Sequence, residues 1–371
     1  MKALVATLGL VIACGDHRTS EVTATAKETA DRTPRVIDPP PQNVRALPPH
    51  AIRPDGVGPF KVGLMLERIA TQIPSGGRNT QVDIPDVVHL SVLHAEEDGI
   101  QIGGEPLGRA TFVAVISPQI ARTEAGIQVG SSREDLGTLA LDYDRARDPR
   151  IAMPAKQREL RAVTDGERVI GLVVAAGETP AKQDGCVRGT DDKKIGACIA
   201  GAPGWIALEG DEVIVRDPND KVLGKSGHLP GAKWIAPIRT ADGRDDVVAV
   251  LRVDEPATKT WMLVELRWEA ERLVRVVDAQ IYKLTATNVR WIGAALQDVD
   301  LAIEVANRGD AFEVGGLLTT RAGEKLRDLL VLSPVTVPRK RAKPATTDVP
   351  APVPADAGIE AGSDVSASPK P

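Results

Sequence analysis

Histidine, cysteine, phenylalanine and tyrosine are all scarce in this chain of 371 residues, which holds five, three, three and two of them. The five histidines leave acyl transfer without an evident base, because none stands in a triad context. Nor do they suggest a metal site. His89 and His94 are five apart, so a strand would turn them to opposite faces and a helix would separate them by about 140°. His17, His50 and His228 fall in tails or a Gly/Pro loop. A zinc ion needs four converging ligands, so no metal and no cofactor is expected. Long apolar runs are missing too. The longest, Ala3 to Ala13, has 11 residues, whereas a spanning helix needs about 20, and a multi-span membrane protein is excluded. A basic stripe is missing as well. The net charge is −5, and the tight basic cluster is Arg339-Lys340-Arg341 with Lys343 near the C-terminus, which argues against nucleic acid as a partner. There is no G-x-S-x-G, S-x-x-K, H-E-x-x-H, phosphate loop or G-x-G-x-x-G, and Gly56-Val57-Gly58 runs into Pro59. Carboxylate pairs such as Asp298 and Asp300 occur, but 51 acidic residues make pairs inevitable.

What is present has an uneven distribution. Prolines crowd residues 15–54, with Pro39-Pro40-Pro41 and Pro48-Pro49, and again residues 334–371. Every aromatic residue lies between Phe60 and Phe312. The middle, 55–333, is therefore the foldable part, long enough for roughly two domains. The flanks have too few apolar side chains to offset the entropy of ordering, and are expected to be disordered. The first would act as a polyproline-rich stalk. In the second, 334–371, the arginines either stay solvated or touch acidic lipid or cell-wall polymer.

Lys2 precedes the apolar run, which ends in Val11-Ile12-Ala13-Cys14. This resembles the lipobox of bacterial lipoproteins. The resemblance implies a signal peptide over 1–13, cleavage before Cys14, and acyl chains (palmitate among them) on the new N-terminal cysteine. Two or more chains give stable anchoring where one gives only marginal binding. Gly15, rather than Asp, comes directly after the cysteine, and by the same resemblance the outer membrane is favoured over the inner. The expected location is the cell envelope, with the membrane as first partner and the periplasm or cell surface as the compartment.

In residues 55–176, Lys61 to Ile69 aligns with Gln128 to Leu136: Val-Gly, then Glu, then an aliphatic residue. Each copy reads as a short strand, a glycine turn and a helix start. Ser131 and Glu134 have the spacing of a capping box. Strand-like runs come next at 87–92, 110–116 and 169–174. The unit resembles outer-membrane-assembly and β-lactamase-inhibitor-like lipoprotein domains, and the expected class is α+β. In an exported protein with Cys14 acylated, Cys186 and Cys198 are the two remaining thiols. A disulfide closing the polar loop 177–203 is therefore expected, since the spacing is not C-x-x-C and no other ligands lie near.

Residues 204–333 hold all five tryptophans, three of them in a recurring phrase: Trp205-Ile206-Ala207, Trp234-Ile235-Ala236 and Trp291-Ile292-Gly293. Runs at 247–253, 261–268 and 299–305 are rich in strand formers, although Glu265 to Val277 also suits a helix. Asp242-Gly243 signals a hairpin. The segment Asp242 to Asp246 is similar to the end of calcium loops in integrin-type propeller repeats, but the earlier oxygen ligands are missing. The expected fold is all-β, an antiparallel meander forming a sandwich or partial propeller. Trp205, Trp234 and Trp291 read either as core, which alternation favours, or as a stacking surface for sugars or a partner. Two functions remain in play. One is a non-catalytic, lipid-anchored envelope protein that binds a protein or polymer, or acts as a scaffold. The other is a periplasmic or surface hydrolase acting on glycans, which requires two carboxylates converging in a cleft lined by tryptophan.

Overall fold

A computed structural model describes residues 49–74, 77–137, 145–152, 159–176, 194–199, 201–241, 243–290 and 292–339. Among these residues the regular structure is mostly strand, following the alternation of apolar and polar residues. β1 (His50–Arg53), β2 (Gly56–Val57) and β3 (Phe60–Lys61) form a tight meander, followed by the short helix α1 (Leu66–Ala70). Four longer strands come next: β4 (Arg78–Ile84), β5 (Val88–Ala95), β6 (Ile100–Gly104) and β7 (Ala110–Val115). They are followed by β8 (Ala121–Thr123), β9 (Arg145–Arg147), β10 (Ile151–Ala152), β11 (Leu160–Thr164) and β12 (Val169–Ala175). Two four-stranded meanders then succeed one another. The first is β13 (Ile195–Ile199), β14 (Ala202–Glu209), β15 (Glu212–Arg216) and β16 (Val222–Lys225). The second is β17 (Ala232–Arg239), β18 (Asp245–Glu255), β19 (Thr258–Glu269) and β20 (Arg272–Thr285). Helix α2 (Ala286–Arg290) leads to β21 (Val299–Asn307), β22 (Ala311–Ala322), β23 (Lys325–Val331) and β24 (Val335–Pro338).

The described residues form five sheets. Their orders are β3-β2-β1-β8, β10-β11-β12-β7-β6-β5-β4, β13-β14-β15-β16, β17-β18-β19-β20, and β23-β22-β21-β9 with β24 also paired to β22. Pairing is antiparallel except between β1 and β8. Alternation shows how the sheets stack. On β12, Leu172 and Val174 face the core shared with the β1 sheet, while Val173 and Ala175 face the one shared with β21–β24. On β18, Val248 and Val250 join that same central core, while Val247, Ala249 and Leu251 pack on the β13–β16 sheet. The β21–β24 sheet thus lies between the seven-stranded sheet and the β17–β20 sheet. β9, from the first half of the chain, pairs with β21 from the second, and one core runs through both halves.

Polar side chains lock the layers. Gln101 on β6 is fully buried. Its amide donates to Arg327 O at 3.0 Å and Asp328 Oδ1 at 3.1 Å, and its oxygen accepts Leu329 N at 2.9 Å. It so satisfies β23 backbone that no strand covers, which a buried layer requires. Arg161 on β11 reaches Glu304 on β21 at 3.0 Å.

The α+β reading of 55–176 is corrected. The described residues of this stretch hold one five-residue helix, one 3-10 turn (Arg133–Leu136) and the seven-stranded antiparallel sheet. The two glycine turns do occur, with Gly63 and Gly130 at positive φ. Each leads into a single helical turn, because too few residues intervene before the next strand or loop for a helix to propagate. The capping box forms one residue later than its spacing suggested. Ser132 Oγ accepts Glu134 N and Asp135 accepts Ser132 N, while Ser131 Oγ accepts Gln128 N. The helical alternative at 265–277 is a hairpin instead: Ala270 and Glu271 both take positive φ between β19 and β20. Described strands cross both expected boundaries: β1 lies before residue 55, and β24, beyond residue 334, pairs with β22 along Ala311–Val314.

Candidate functional site

The junction of the β17–β20 and β21–β24 sheets encloses a cavity of about 320 Å³. Its floor is apolar, made by Val250 of β18 and by Leu301 and Ile303 of β21. Trp234 of β17 and Trp261 of β19 supply aromatic walls. Both are buried, 4% and 2% exposed, so they reach the site from within the core. Charge enters from three directions: Asp148 and Arg150 from the turn after β9, Lys233 from β17, and Arg252 from β18.

Lys233 and Trp234 are adjacent, and regular alternation would place them on opposite faces. β17 carries a bulge here. Ala232 pairs with Leu251 and Trp234 with Val250, so Lys233 is the extra residue. A bulge re-aims a side chain in this way, and such bulges favour functional sites.

The ions are ordered by Arg150. Its Nε and Nη2 grip Asp148 at 3.0 and 2.7 Å, its Nη1 donates to Asp300 at 2.6 Å, and Nη2 also donates to Leu301 O at 2.8 Å. Asp300 is shared: Arg252 Nη1 donates to its other oxygen at 3.0 Å. Arg252 is itself forked onto Asp254 at 3.0 and 2.7 Å. Burial works to raise the Asp300 carboxyl, but Arg150 and then Arg252 outweigh it and hold the pKa below the usual carboxylate range. Burial likewise opposes the Arg150 charge, and Asp148 with Asp300 overturns it, so that guanidinium stays charged. Nearby Lys259 is lowered by burial, and its ammonium donates to Val299 O at 2.7 Å.

A second cluster of charge is closed. Asp246 of β18 and Glu265 of β19 are 4% and 0% exposed. Arg339, just after β24, lies against both, in direct contact with Glu265 and at 3.0 Å from Asp246 Oδ2. Arg339 also donates to Asn307 Oδ1 at 3.1 Å and stacks 4.7 Å above the Phe312 ring. Burial, then hydrogen bonding and repulsion from Glu265, push the Asp246 carboxyl up to about 7. The first arginine of the C-terminal basic cluster is therefore a buried clasp for β24. The expectation of a solvated or lipid-facing arginine is corrected at this position, because two buried carboxylates require a counter-charge.

A second cavity, also about 320 Å³, lies between β4, β5 and β23, with His94, Arg78, Arg327 and Asp328 in its wall. His94 is buried and His89 exposed, so alternation does separate the two imidazoles. Burial, then Arg78, lower the His94 pKa. Its Nδ1 stands 3.4 Å from Arg78 Nη2. The same Nδ1 stands 3.7 Å from Asp98 Oδ1, so it lies between a donor and an acceptor.

The residues singled out from sequence are dispersed. Trp234 enters the first cavity. Trp205 is half-buried on β14, the second strand of its sheet, whereas Trp234 lies on the first strand of another. Cys198 is buried on β13, where its backbone N–H donates to the buried Asp245 at 2.7 Å. Cys14, Cys186 and Trp291 lie outside the described residues. The 239–245 segment is a hairpin: Thr240 N donates to Arg244 O at 2.8 Å, and Gly243 has positive φ. Of the carboxylate pair Asp298 and Asp300, the second alone reaches the cavity's ion network. Asp148, Arg150, Lys233, Arg252 and Trp261 were not singled out. Asp-Pro-Arg after a short polar strand is a weak turn signal, and nothing local marks the others. Comparison with protein-family models, with curated proteins and with solved structures finds no match to this chain.

Proposed function

We propose that this protein is a non-catalytic binding protein of the bacterial cell envelope. In this reading it is anchored by acyl chains on Cys14 and held off the membrane by the proline-rich segment before β1. The cavity walled by Trp234 and Trp261 is its binding site, and an envelope protein or polymer its source of ligand. The observation that carries the binding role is the state of the cavity's carboxylates. Asp148 is gripped by Arg150, and Asp300 is shared between Arg150 and Arg252. A glycosidase acid needs a raised pKa and a free proton to give, and Asp300 is shifted the opposite way. The alternative, a glycan hydrolase, finds a raised carboxyl in Asp246. That group sits beneath Arg339 with Glu265 wholly buried, where a sugar has no access.

Two measurements test this reading. In the native envelope, the wild-type chain should sediment with membranes and Cys14→Ala should be soluble; an unchanged membrane fraction contradicts the anchor. The purified chain should release no reducing ends from envelope glycans. Turnover that disappears in Asp148→Asn would replace the binding role with the hydrolase.

A further inference from the structure

We infer that the Trp234–Trp261 cavity takes a small organic anion with a flat or ring-shaped body. The inference rests on the cavity being the binding site, and it names the ligand chemistry. Its basis is an imbalance between donors and acceptors. Three cationic side chains and one carboxylate line the cavity. The carboxylate oxygens are already occupied. Asp148 accepts from Arg150 N and Nε on one oxygen and from Nη2 on the other. Asp300, just behind, accepts Arg252 Nη1 and Leu301 N on Oδ1 and Arg150 Nη1 on Oδ2.

The donors are not exhausted. A guanidinium has five N–H groups. Arg150 makes four bonds and Arg252 three, each with protein acceptors. Lys233 makes no bond to the described residues. The Trp234 indole N–H is buried with no acceptor among them. A buried donor without an acceptor is destabilising, and an indole can only donate. The bulge at Lys233 lets it and its sequence neighbour Trp234 line the same cavity. Lys233 is the cation of this wall that pairs with none of the described carboxylates, whereas Arg150 and Arg252 are matched by Asp148, Asp300 and Asp254, so a ligand that engages Lys233 brings an acceptor and negative charge. The rest of the wall is indole and aliphatic carbon, which suits a flat or apolar body. The cavity falls at the small end of ligand sites, so the anion is of single-ring size. A carboxylate on an aromatic acid and one on a sugar acid share this chemistry.

The test is a binding series on the purified full chain, read by tryptophan fluorescence and calorimetry. The probes are benzoate, phenyl phosphate, glucuronate, uncharged benzyl alcohol and cationic benzylamine. Benzoate, phenyl phosphate or glucuronate should bind at least tenfold more tightly than benzyl alcohol, and benzylamine should be weakest. Benzoate against glucuronate tells an aromatic acid from a sugar acid. Lys233→Gln, at an exposed position, should melt like the wild type and lose about tenfold in anion affinity. Added salt should weaken the wild type more than the variant. Equal or tighter binding of benzyl alcohol or benzylamine overturns the anion assignment and leaves the cavity as a binding site. Undiminished anion affinity in Lys233→Gln also overturns it. Failure of every probe, charged or not, overturns both the anion and the binding role of the cavity.

Discussion

Lys233 and Trp234 are neighbours in sequence and share one cavity, because β17 gains a residue between its pairs with Leu251 and Val250. The two side chains that alternation would separate both line the cavity. A backbone irregularity, not a motif, assembles this part of the site.

Trp234 is also core. It is 4% exposed and packs in the central cluster, whereas Trp205 is half-buried. Trp234→Ala should cost roughly 3–5 kcal/mol, the range for emptying a large buried site. Trp205→Ala should cost less than half as much. Urea unfolding of the two variants provides the comparison, and equal losses would show that Trp205 is just as much a part of the core.

Arg339 clasps the last strand through Glu265 and Asp246. Arg339→Met leaves the two buried carboxylates with Arg267, at 3.4 and 3.7 Å, as their remaining counter-charge, and should cost about 3 kcal/mol, the low end for breaking a buried pair. Adding Glu265→Leu should recover most of it, since removing both partners of a buried pair is far milder than removing one. A double variant no better than the single would mean that Arg339 acts through Phe312 and Asn307 instead.

Asp246 gives stability a defined pH slope. Its pKa is raised on folding from 3.8 to about 7. The native state therefore holds a proton that the unfolded chain releases, and stability falls as pH rises wherever the native state binds more protons. The contribution is fully present below about pH 4 and is lost as pH climbs toward 7. The stability difference between wild type and Asp246→Asn, measured by urea unfolding between pH 4 and 8, should decline across that window. A difference that is flat, or that grows with pH, contradicts the buried proton.

Pairing of Cys186 with Cys198 is the expectation for an exported chain. Reductant should lower the unfolding free energy by about 3 kcal/mol, the chain-entropy value for a loop of this length. Cys186→Ser should show the same loss and no further response to reductant. Two titratable thiols in the untreated protein, with an unchanged midpoint, would dismiss the bridge.

Strand content was legible wherever one face of a strand meets a core and the other meets solvent or a second core. Met262 to Trp268 alternates in sequence, and β19 follows it. Short-range turn chemistry was legible as well: Gly63, Gly130 and Gly243 all adopt the positive φ that their turns require. Helical content among the described residues was less than the two glycine turns and the one capping box suggest, because such signals set where a helix begins but not whether enough residues remain to propagate it.

By itself the sequence determined the lack of reaction motifs, the strands of residues 204–333 and the hairpins, since these depend on composition and on neighbours within a few residues. The tertiary structure alone decided the rest. Arg150 meets Asp300 across 150 positions, Arg339 meets Glu265 across 74, and β9 joins β21 from the far half of the chain. The stacking of sheets brings such groups together, and stacking order is set by which faces bury the most apolar surface over the whole chain. No local window carries that sum, so charged residues that look solvated in sequence become the half-buried polar framework of a cavity.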